Sequence, residues 1–314
     1  MRAFVFPGQG AQAIGMGQDL ANAYPSARAV FEEVDDALGE ALSALIFEGS
    51  LETLTLTRNA QPALMATSMA AMRALEAEGV AITDADFVAG HSLGEYSALA
   101  ASGAVGIADC ARLLRVRGDA MQQAVPQGVG AMAAILGLDA ATVAQISEDA
   151  AQGEVCQLAN ENDPAQNVIS GHVAAVERAA VLAKAAGAKR ALMLPVSAPF
   201  HCALMQPAAE LMRGALAEVA MQTPAVPLVA NVTALPVTDP DTIRSQLVEQ
   251  VAGRVRWASS VEWMVAQGVT SFVEIGAGKA LSGMIRRIAK EVGTANVGTA
   301  AEAVAAAAAI KGEA

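Results

Sequence analysis

Residues 88–101 read VAGHSLGEYSALAA and contain the pattern Gly90-x-Ser92-x-Gly94. A serine so placed is a nucleophile candidate if it sits on a sharp strand-to-helix turn. There the two glycines let the backbone pass close to its neighbours, the hydroxyl is thrust outward, and the next N–H, that of Leu93, points at the same spot. The preceding residues, DFVA, read as a short buried strand. The following EYSALAASG reads as a helix that ends at Gly103. The competing reading is a chance match in an alanine-rich chain, which partner residues must decide.

A serine nucleophile needs a base within hydrogen-bond reach, and the chain has three histidines. His91 adjoins Ser92, and neighbours on a tight turn point apart, so a packing or loop role fits it better. His172 opens a helix and suits a helix-start position. His201 lies in PVSAPFHCALM, where Pro199 ends an extended segment and a helix is expected from about Cys202. The dipole at a helix N-terminus would keep that imidazole neutral, as a general base must be. Elimination and position both select His201, and the order serine-then-histidine fits strand–turn–helix hydrolases.

One arginine stands out. In IADCARLLRVRGDAMQQ (107–123) the apolar stripe runs through Cys110, Leu113, Leu114 and Met121, and Arg117 falls in its middle, whereas Arg112 and Arg115 lie away from it. A guanidinium there is costly unless paired. Three readings are open: an ion pair with a core carboxylate, a side chain that snorkels to water, or a fork that binds a substrate carboxylate.

The first turn, FVFPGQGAQAIGMG, also follows a strand. Gly8-x-Gly10-x-x-Ala13 mimics a dinucleotide fingerprint and makes an oxidoreductase a competitor. Pro7 interrupts that turn, and the acids about 20 residues on, Glu32 and Glu33, lie in the helical ARAVFEEVDDAL rather than at a strand end. The other reading gives this loop a second oxyanion N–H, from Gln9, beside that of Leu93.

The elements that must position these groups follow from the rest of the 314 residues. A hydrophobic content of 54% supports a sizeable core, and no apolar run has the length and purity of a membrane helix. The beginning, MRAFVFPGQG, enters a strand directly and has no signal-peptide organisation, which points to the cytoplasm. Cys110, Cys156 and Cys202 are odd in number and widely spaced, matching neither a zinc site nor a disulfide framework. Asn231-Val-Thr is formally a glycosylation sequon, set aside for want of a signal peptide. The net charge of −12 argues against nucleic acid as a partner.

Strands are expected at RAFVF, DFVAG, PLVANV, SFVEIG and a short NVG. Helices are expected near 26–38, 61–78, 107–123, 202–220, 240–252, 257–267 and 279–292. Between the two halves, GAMAAILGL, DAATVAQISEDAA, VCQLANE, QNVISG, VAAVERAAVLAKAAG and KRALMLPVS run β-α-β-β-α-β over about 70 residues, the ferredoxin-like order. The fold class is therefore α/β: a hydrolase-like, mostly parallel sheet flanked by helices (1–127 and 198–314) with a ferredoxin-like insertion (128–197). The tail AEAVAAAAAIKGEA is expected to form a surface helix that frays.

PGQGAQ, GHSLGEYSAL, Arg117-Gly118, NENDPAQNVISG, PFH and LVEQVAGRVRW occur in this order and spacing. On these motifs, from residue 3 to about 290, the chain resembles the malonyl-CoA:acyl carrier protein transacylases, the malonyl-loading acyltransferases of bacterial fatty acid synthesis. The resemblance implies a hydrolase-like part with a ferredoxin-like insertion. It implies Ser92 as the acylated nucleophile, His201 as its base, Gln9 and Leu93 as oxyanion donors, and Arg117 as the partner of the malonyl carboxylate. It further implies that Gln250 orients His201 through its main-chain carbonyl, that Asn160 lies near the site, and that Met121 lines the pocket. Phe200 before His201 is similar, more loosely, to the Phe-His of malonyl-selective polyketide acyltransferases. One departure is AGRVRW, where the family commonly has Asn-Pro; it bears on the backbone after Gln250 rather than on the chemistry.

The implied reaction is a two-step acyl transfer from malonyl-CoA to the phosphopantetheine thiol of acyl carrier protein, with no bound cofactor and no metal. Rival readings are a serine hydrolase or thioesterase acting on a carboxylated acyl thioester, malonyl loading for a polyketide synthase, and a non-catalytic carrier-binding module, which an intact Ser92–His201 pair disfavours. A carrier of this type is expected to be acidic. Because this chain is acidic too, a local basic patch would have to steer docking. Two clusters qualify. One is KALSGMIRRIAKEV, where Lys279, Arg286, Arg287 and Lys290 fall mainly off the stripe of Leu281, Met284, Ile285 and Ile288. The other is Lys189-Arg190. The alternative for either is an ordinary solvated face.

Overall fold

In the computed structural model, which describes residues 1–196 and 198–312, the chain builds two sheets. The strands are β1 (Arg2–Phe6), β2 (Phe87–Gly90), β3 (Gly130–Leu136), β4 (Cys156–Asp163), β5 (Gln166–His172), β6 (Arg190–Met193), β7 (Leu228–Val229), β8 (Pro236–Val237), β9 (Ser271–Ile275) and β10 (Gly293–Val297). The larger sheet has the order β10-β9-β1-β2-β7-β8. Its pairings are parallel except β7 with β8. Its central strands are apolar on both faces, as a sheet covered by helices on each side requires: Ala3, Phe4, Val5 and Phe6 are all fully buried.

The smaller sheet is antiparallel, in the order β4-β5-β3-β6. With the helices Ala140–Ala151 and Val173–Ala185 it keeps the chain order β-α-β-β-α-β. Period-two alternation divides its side chains. Ala133, Ile135, Leu158 and Ile169 face its own helices. Their neighbours Met132, Ala159 and Val168 face the other way and join the main core. This sheet therefore shares the main core, and β4 is stitched to the larger unit by Arg254–Glu161 at 2.7 Å and Arg287–Asp163 at 2.7 Å.

Several expected boundaries move. The strand read at 227–232 is only Leu228–Val229, because the chain turns at Ala230–Asn231. The strand read at 189–197 is Arg190–Met193; its expected end at Ser197, and with it the 197/198 boundary, falls outside the described residues. The final strand is longer than the expected NVG and spans Gly293–Val297. The helix expected at 61–78 begins four residues earlier, as Thr57–Ala77, and takes Pro62 inside. A short helix, Gln18–Ala23, follows the first glycine turn, and two more short helices, Leu42–Glu48 and Leu51–Thr55, were not expected.

The tail is a helix, Ala300–Lys311, but not merely a fraying surface one: Ala303, Ala306 and Ala307 are buried and join the main core. Alanines three to four apart give that helix a flat face that can pack closely. Glu313 and Ala314 lie outside the described residues. Among the described residues no helix is long and apolar enough to cross a membrane. All three cysteines are free and buried.

Candidate active site

The turn at Ser92 is as sharp as the sequence requires. β2 ends at Gly90, and the helix Gly94–Ala101 begins two residues beyond Ser92. A Cβ on Gly90 would lie 1.9 Å from the Gly94 carbonyl carbon, and one on Gly94 would lie 2.2 Å from Phe6 O. Neither position admits a side chain. Ser92 itself has φ 52°. For a non-glycine residue that left-handed backbone costs about 1–3 kcal/mol, which the surroundings must supply. The Gly8-x-Gly10 loop packs on the same turn: a Cβ on Gly8 would lie 2.6 Å from His91 O. Thus Gln9 is held beside the Ser92 turn. The main-chain N–H groups of Gln9 and Leu93 have no hydrogen-bond partner among the described residues, as donors kept for an oxyanion would.

Ser92 Oγ lies 2.8 Å from His201 Nε2, and His201 Nδ1 lies 2.9 Å from the main-chain carbonyl of Gln250. A carbonyl only accepts. The proton therefore sits on Nδ1, and Nε2 is left as the acceptor for the serine O–H. The expected reason for a neutral His201 was wrong. No helix starts at Cys202; a 3₁₀ turn, Ala203–Met205, intervenes, and the helix is Gln206–Ala217. Burial first, and then the Arg117 charge, push the His201 ring down to about 3. His201, like Ser92, has a left-handed backbone, with φ 60°.

Arg117 is 1% exposed, so its side chain does not snorkel. Among the described residues it has no carboxylate within ion-pair distance. Its fork is held by amides instead. One terminal nitrogen donates to Gln61 Oε1 at 2.6 Å, and the other to Gln250 Oε1 at 2.9 Å and to Ser92 Oγ at 3.1 Å. The guanidinium sits 5.6 Å above the Tyr96 ring, and its Nε is buried without a hydrogen-bond partner among the described residues. A cation whose hydrogen bonds all go to neutral groups, with no carboxylate in ion-pair reach among the described residues, is suited to take an anion from outside.

Gln250 joins these parts. Its main-chain oxygen holds His201 and its side-chain oxygen holds Arg117. Its Nε2 donates to Glu95 Oε2 at 2.6 Å and to Ser92 O at 2.9 Å. Glu95 is buried beneath the turn, and burial pushes its carboxyl up to about 7 against the amide donors and the Arg117 charge.

The remaining expectations fare differently. His91 is a packing residue, its Nε2 2.8 Å from Asn162 Oδ1 and its ring against Trp257. His172 caps its helix and accepts from Val155 N through Nδ1. Asn160 is buried on β4. Its main chain bridges Val255, but no hydrogen bond joins its side chain to Ser92 or His201 among the described residues, and Asn162 is the β4 amide that reaches the turn. Met121 is buried one layer back, its Sδ 3.8 Å from Gln61 Nε2. Phe200 is buried in the main core beside His201.

Where the family commonly has Asn-Pro, Arg254 pairs with Glu161 and Val255 continues into a parallel bridge to Asn160, so the departure is absorbed locally. A cleft of about 290 Å³ reaches His201 from the β4 side, past Gln157, Leu158 and Gly253. Asn231 is fully buried with its amide nitrogen bonded to Gly90 O, so the sequon is inaccessible. Sequence reasoning missed Gln61, Glu95 and Asn231. Glutamine and asparagine carry no periodic signal, and Glu95 read as part of the first helical turn.

Residues 3–309 match the family described as acyl transferase domain. The chain belongs to that family. Across its length this acyltransferase-family chain is 50% identical over 286 residues to a malonyl CoA-acyl carrier protein transacylase of Escherichia coli K12, covering 91% of this chain and 92% of the relative. It superposes with a TM-score of 0.97 on the crystal structure of an acyl-carrier-protein-S-malonyltransferase from Bartonella henselae, at 55% identity and 99% coverage of both chains. A malonyl-transacylase solved in complex with its type II PKS acyl-carrier protein gives a TM-score of 0.94 at 42% identity, covering 99% of both chains.

Proposed function

We propose that this chain is an acyl-carrier-protein S-malonyltransferase: it moves the malonyl group of malonyl-CoA onto the phosphopantetheine thiol of acyl carrier protein, in fatty acid biosynthesis. The observation that carries this reading is Ser92 Oγ set between His201 Nε2, at 2.8 Å, and a buried Arg117, at 3.1 Å, that forms no ion pair among the described residues. One group activates the hydroxyl, and the other is placed to hold a carboxylate beside it.

In the first half-reaction Ser92 Oγ attacks the thioester carbonyl as its proton passes to His201 Nε2. The oxyanion is held by the N–H groups of Gln9 and Leu93. Collapse expels the coenzyme A thiolate, which leaves as the thiol with the proton from His201. In the second, the carrier's thiol gives its proton to His201 and attacks the malonyl ester. Collapse returns that proton to Ser92 Oγ and leaves malonyl on the carrier. Arg117 holds the free carboxylate throughout, and Gln250 orients His201. The residues supply nucleophile, base and oxyanion donors from the chain itself, and no further group is part of this proposal. Asn160, Met121 and Phe200 are assigned to the walls around these groups rather than to contact with the acyl chain.

Residues 128–197 are taken as an inserted subdomain, supported by their separate sheet and core. The proposed setting is the cytoplasm, where a reducing medium keeps Cys110, Cys156 and Cys202 as thiols. The deciding experiment is intact-protein mass spectrometry after malonyl-CoA, then after addition of holo-carrier. An adduct that persists until the carrier arrives and then appears on it supports the transferase. An adduct lost to water without carrier supports a thioesterase. Running a fatty-acid carrier beside a polyketide carrier separates those two pathways.

A further inference from the structure

The pairing of β2 with β7 is short: Val88 faces Leu228 and Ala89 faces Val229, and then the main chains part. The hydrogen bonding does not stop there. Asn231 donates its side-chain Nδ2 to Gly90 O at 2.7 Å and accepts at Oδ1 from Ser92 N at 2.8 Å. In a parallel ladder one residue's peptide groups reach the carbonyl before, and the N–H after, the residue opposite. The amide of Asn231 makes that same pair of bonds across His91. It stands in for a peptide group one step past the end of β7.

The amide is itself held. Asn231 N donates to Glu95 Oε2 at 3.3 Å, and Asn231 O accepts from Arg256 N at 3.0 Å. Glu95 Oε2 also receives Gln250 Nε2 at 2.6 Å. Asn231 is fully buried and Glu95 nearly so. Binding of Ser92 N to Asn231 has a further consequence. That N–H is turned away from the reacting carbonyl, which leaves the next one, of Leu93, as the elbow's contribution to the oxyanion.

We propose that Asn231 is a positioning residue whose side-chain amide clamps the left-handed Ser92 turn from both sides, with Glu95 tying the clamp to Gln250 and through it to His201 and Arg117. The proposal rests on Ser92 being the acylated residue. Its role is in attack geometry and not in substrate binding, because no group on Asn231 is free to touch a ligand.

The test uses N231L and N231D in the full chain. Three readings are taken: the rate of Ser92 loading from malonyl-CoA against substrate concentration, hydrogen exchange at the Ser92 amide, and the thermal melt. A displacement of the nucleophile of about 1 Å costs on the order of a hundredfold. Accordingly, kcat for loading should fall between ten- and a hundredfold in both variants, with KM within about twofold of the parent. N231L has no acceptor for Ser92 N, so exchange there should speed up while the melt stays a single transition. N231D keeps the acceptor and loses the donor to Gly90 O, so it should slow loading while largely preserving Ser92 protection; being nearly isosteric, it answers if N231L does not fold. A kcat within twofold of the parent in either folded variant, unchanged Ser92 exchange in a folded N231L, or a KM that rises in step with the loss of kcat would overturn the clamp. Failure of the parent protein to load at all would instead defeat the functional reading, and the exchange comparison would still decide the clamp.

Discussion

Removing the Arg117 fork should separate two acyl groups that differ by one carboxylate. In Arg117→Ala the malonyl carboxylate would enter a site with no cation, at a cost of about 3–5 kcal/mol for a desolvated partner. At about 1.4 kcal/mol per decade, that is roughly two to nearly four orders of magnitude in malonyl loading. The truncation also leaves Gln61 Oε1 and Gln250 Oε1 without their donor. Each such buried acceptor costs about 1–3 kcal/mol of stability unless water enters, so the melt must be measured beside the rate. Acetyl, which has no carboxylate, feels only the indirect effects, and its loading should fall far less or rise.

A second signature follows from electrostatics. The Arg117 charge helps hold the His201 ring down. Without it that pKa rises, and acetyl loading by the variant should fail at a higher pH than in the parent. The assay is intact-protein mass spectrometry of Ser92 loading from malonyl-CoA and acetyl-CoA over a pH series. Equal losses for the two acyl groups in a folded variant would refute the carboxylate role and make Arg117 structural.

Ser92→Ala should abolish the covalent adduct, and peptide mapping that places malonyl on any other residue would refute the assignment. Because His201 is pushed down to about 3, loading should pass through the ordinary histidine range near pH 6.5 without the loss a solvated base would show; a titration centred there and removed by His201→Ala would contradict this. The same depression makes the stability contribution of His201 complete above the unfolded value and lost as pH falls toward the folded one. Glu95, raised to about 7, has the opposite sign: its contribution is complete below the unfolded carboxyl value near 4.5 and fades as pH rises through 7. Glu95→Gln should therefore remove a stability decline between these limits, read by denaturant unfolding at each pH.

For carrier docking the structure reorders the candidates. Arg287 is tied to Asp163 and Lys279 to Glu302, whereas Arg286 is exposed without an ion pair among the described residues. Arg286→Glu combined with Lys189→Glu and Arg190→Glu should weaken transfer to the carrier most at low salt and leave malonyl-CoA loading nearly untouched. Unchanged transfer and salt dependence would exclude both clusters.

The sequence alone determined what depends on neighbours along the chain. Gly90 and Gly94 had to flank the turn, because the backbone there admits no Cβ. The spacing of the helix Ile107–Gln123 put the Arg117 position on the apolar stripe, among leucines, and the structure then showed that the side chain stays buried there. The βαββαβ order of the small sheet was legible from alternating periods. The glycine loop itself offered the Gln9 N–H as an oxyanion donor, whereas only the resemblance to a known family attached a role to Gln250.

Only the tertiary structure decided what holds those groups in place. Ser92 and His201 are 109 positions apart, Ser92 and Asn231 are 139 apart, and Gln250 reaches back 158 positions to Ser92 O. Bonds over such separations leave no local pattern. An amide past a strand end looks the same in sequence whether it faces water or, as Asn231 does, bonds the turn at Ser92. The neutral state of His201 likewise came from burial and a cation brought over by another helix, and not from the helix terminus that the local sequence suggested. Gln61 meets Arg117 across 56 positions because the helices Thr57–Ala77 and Ile107–Gln123 pack together.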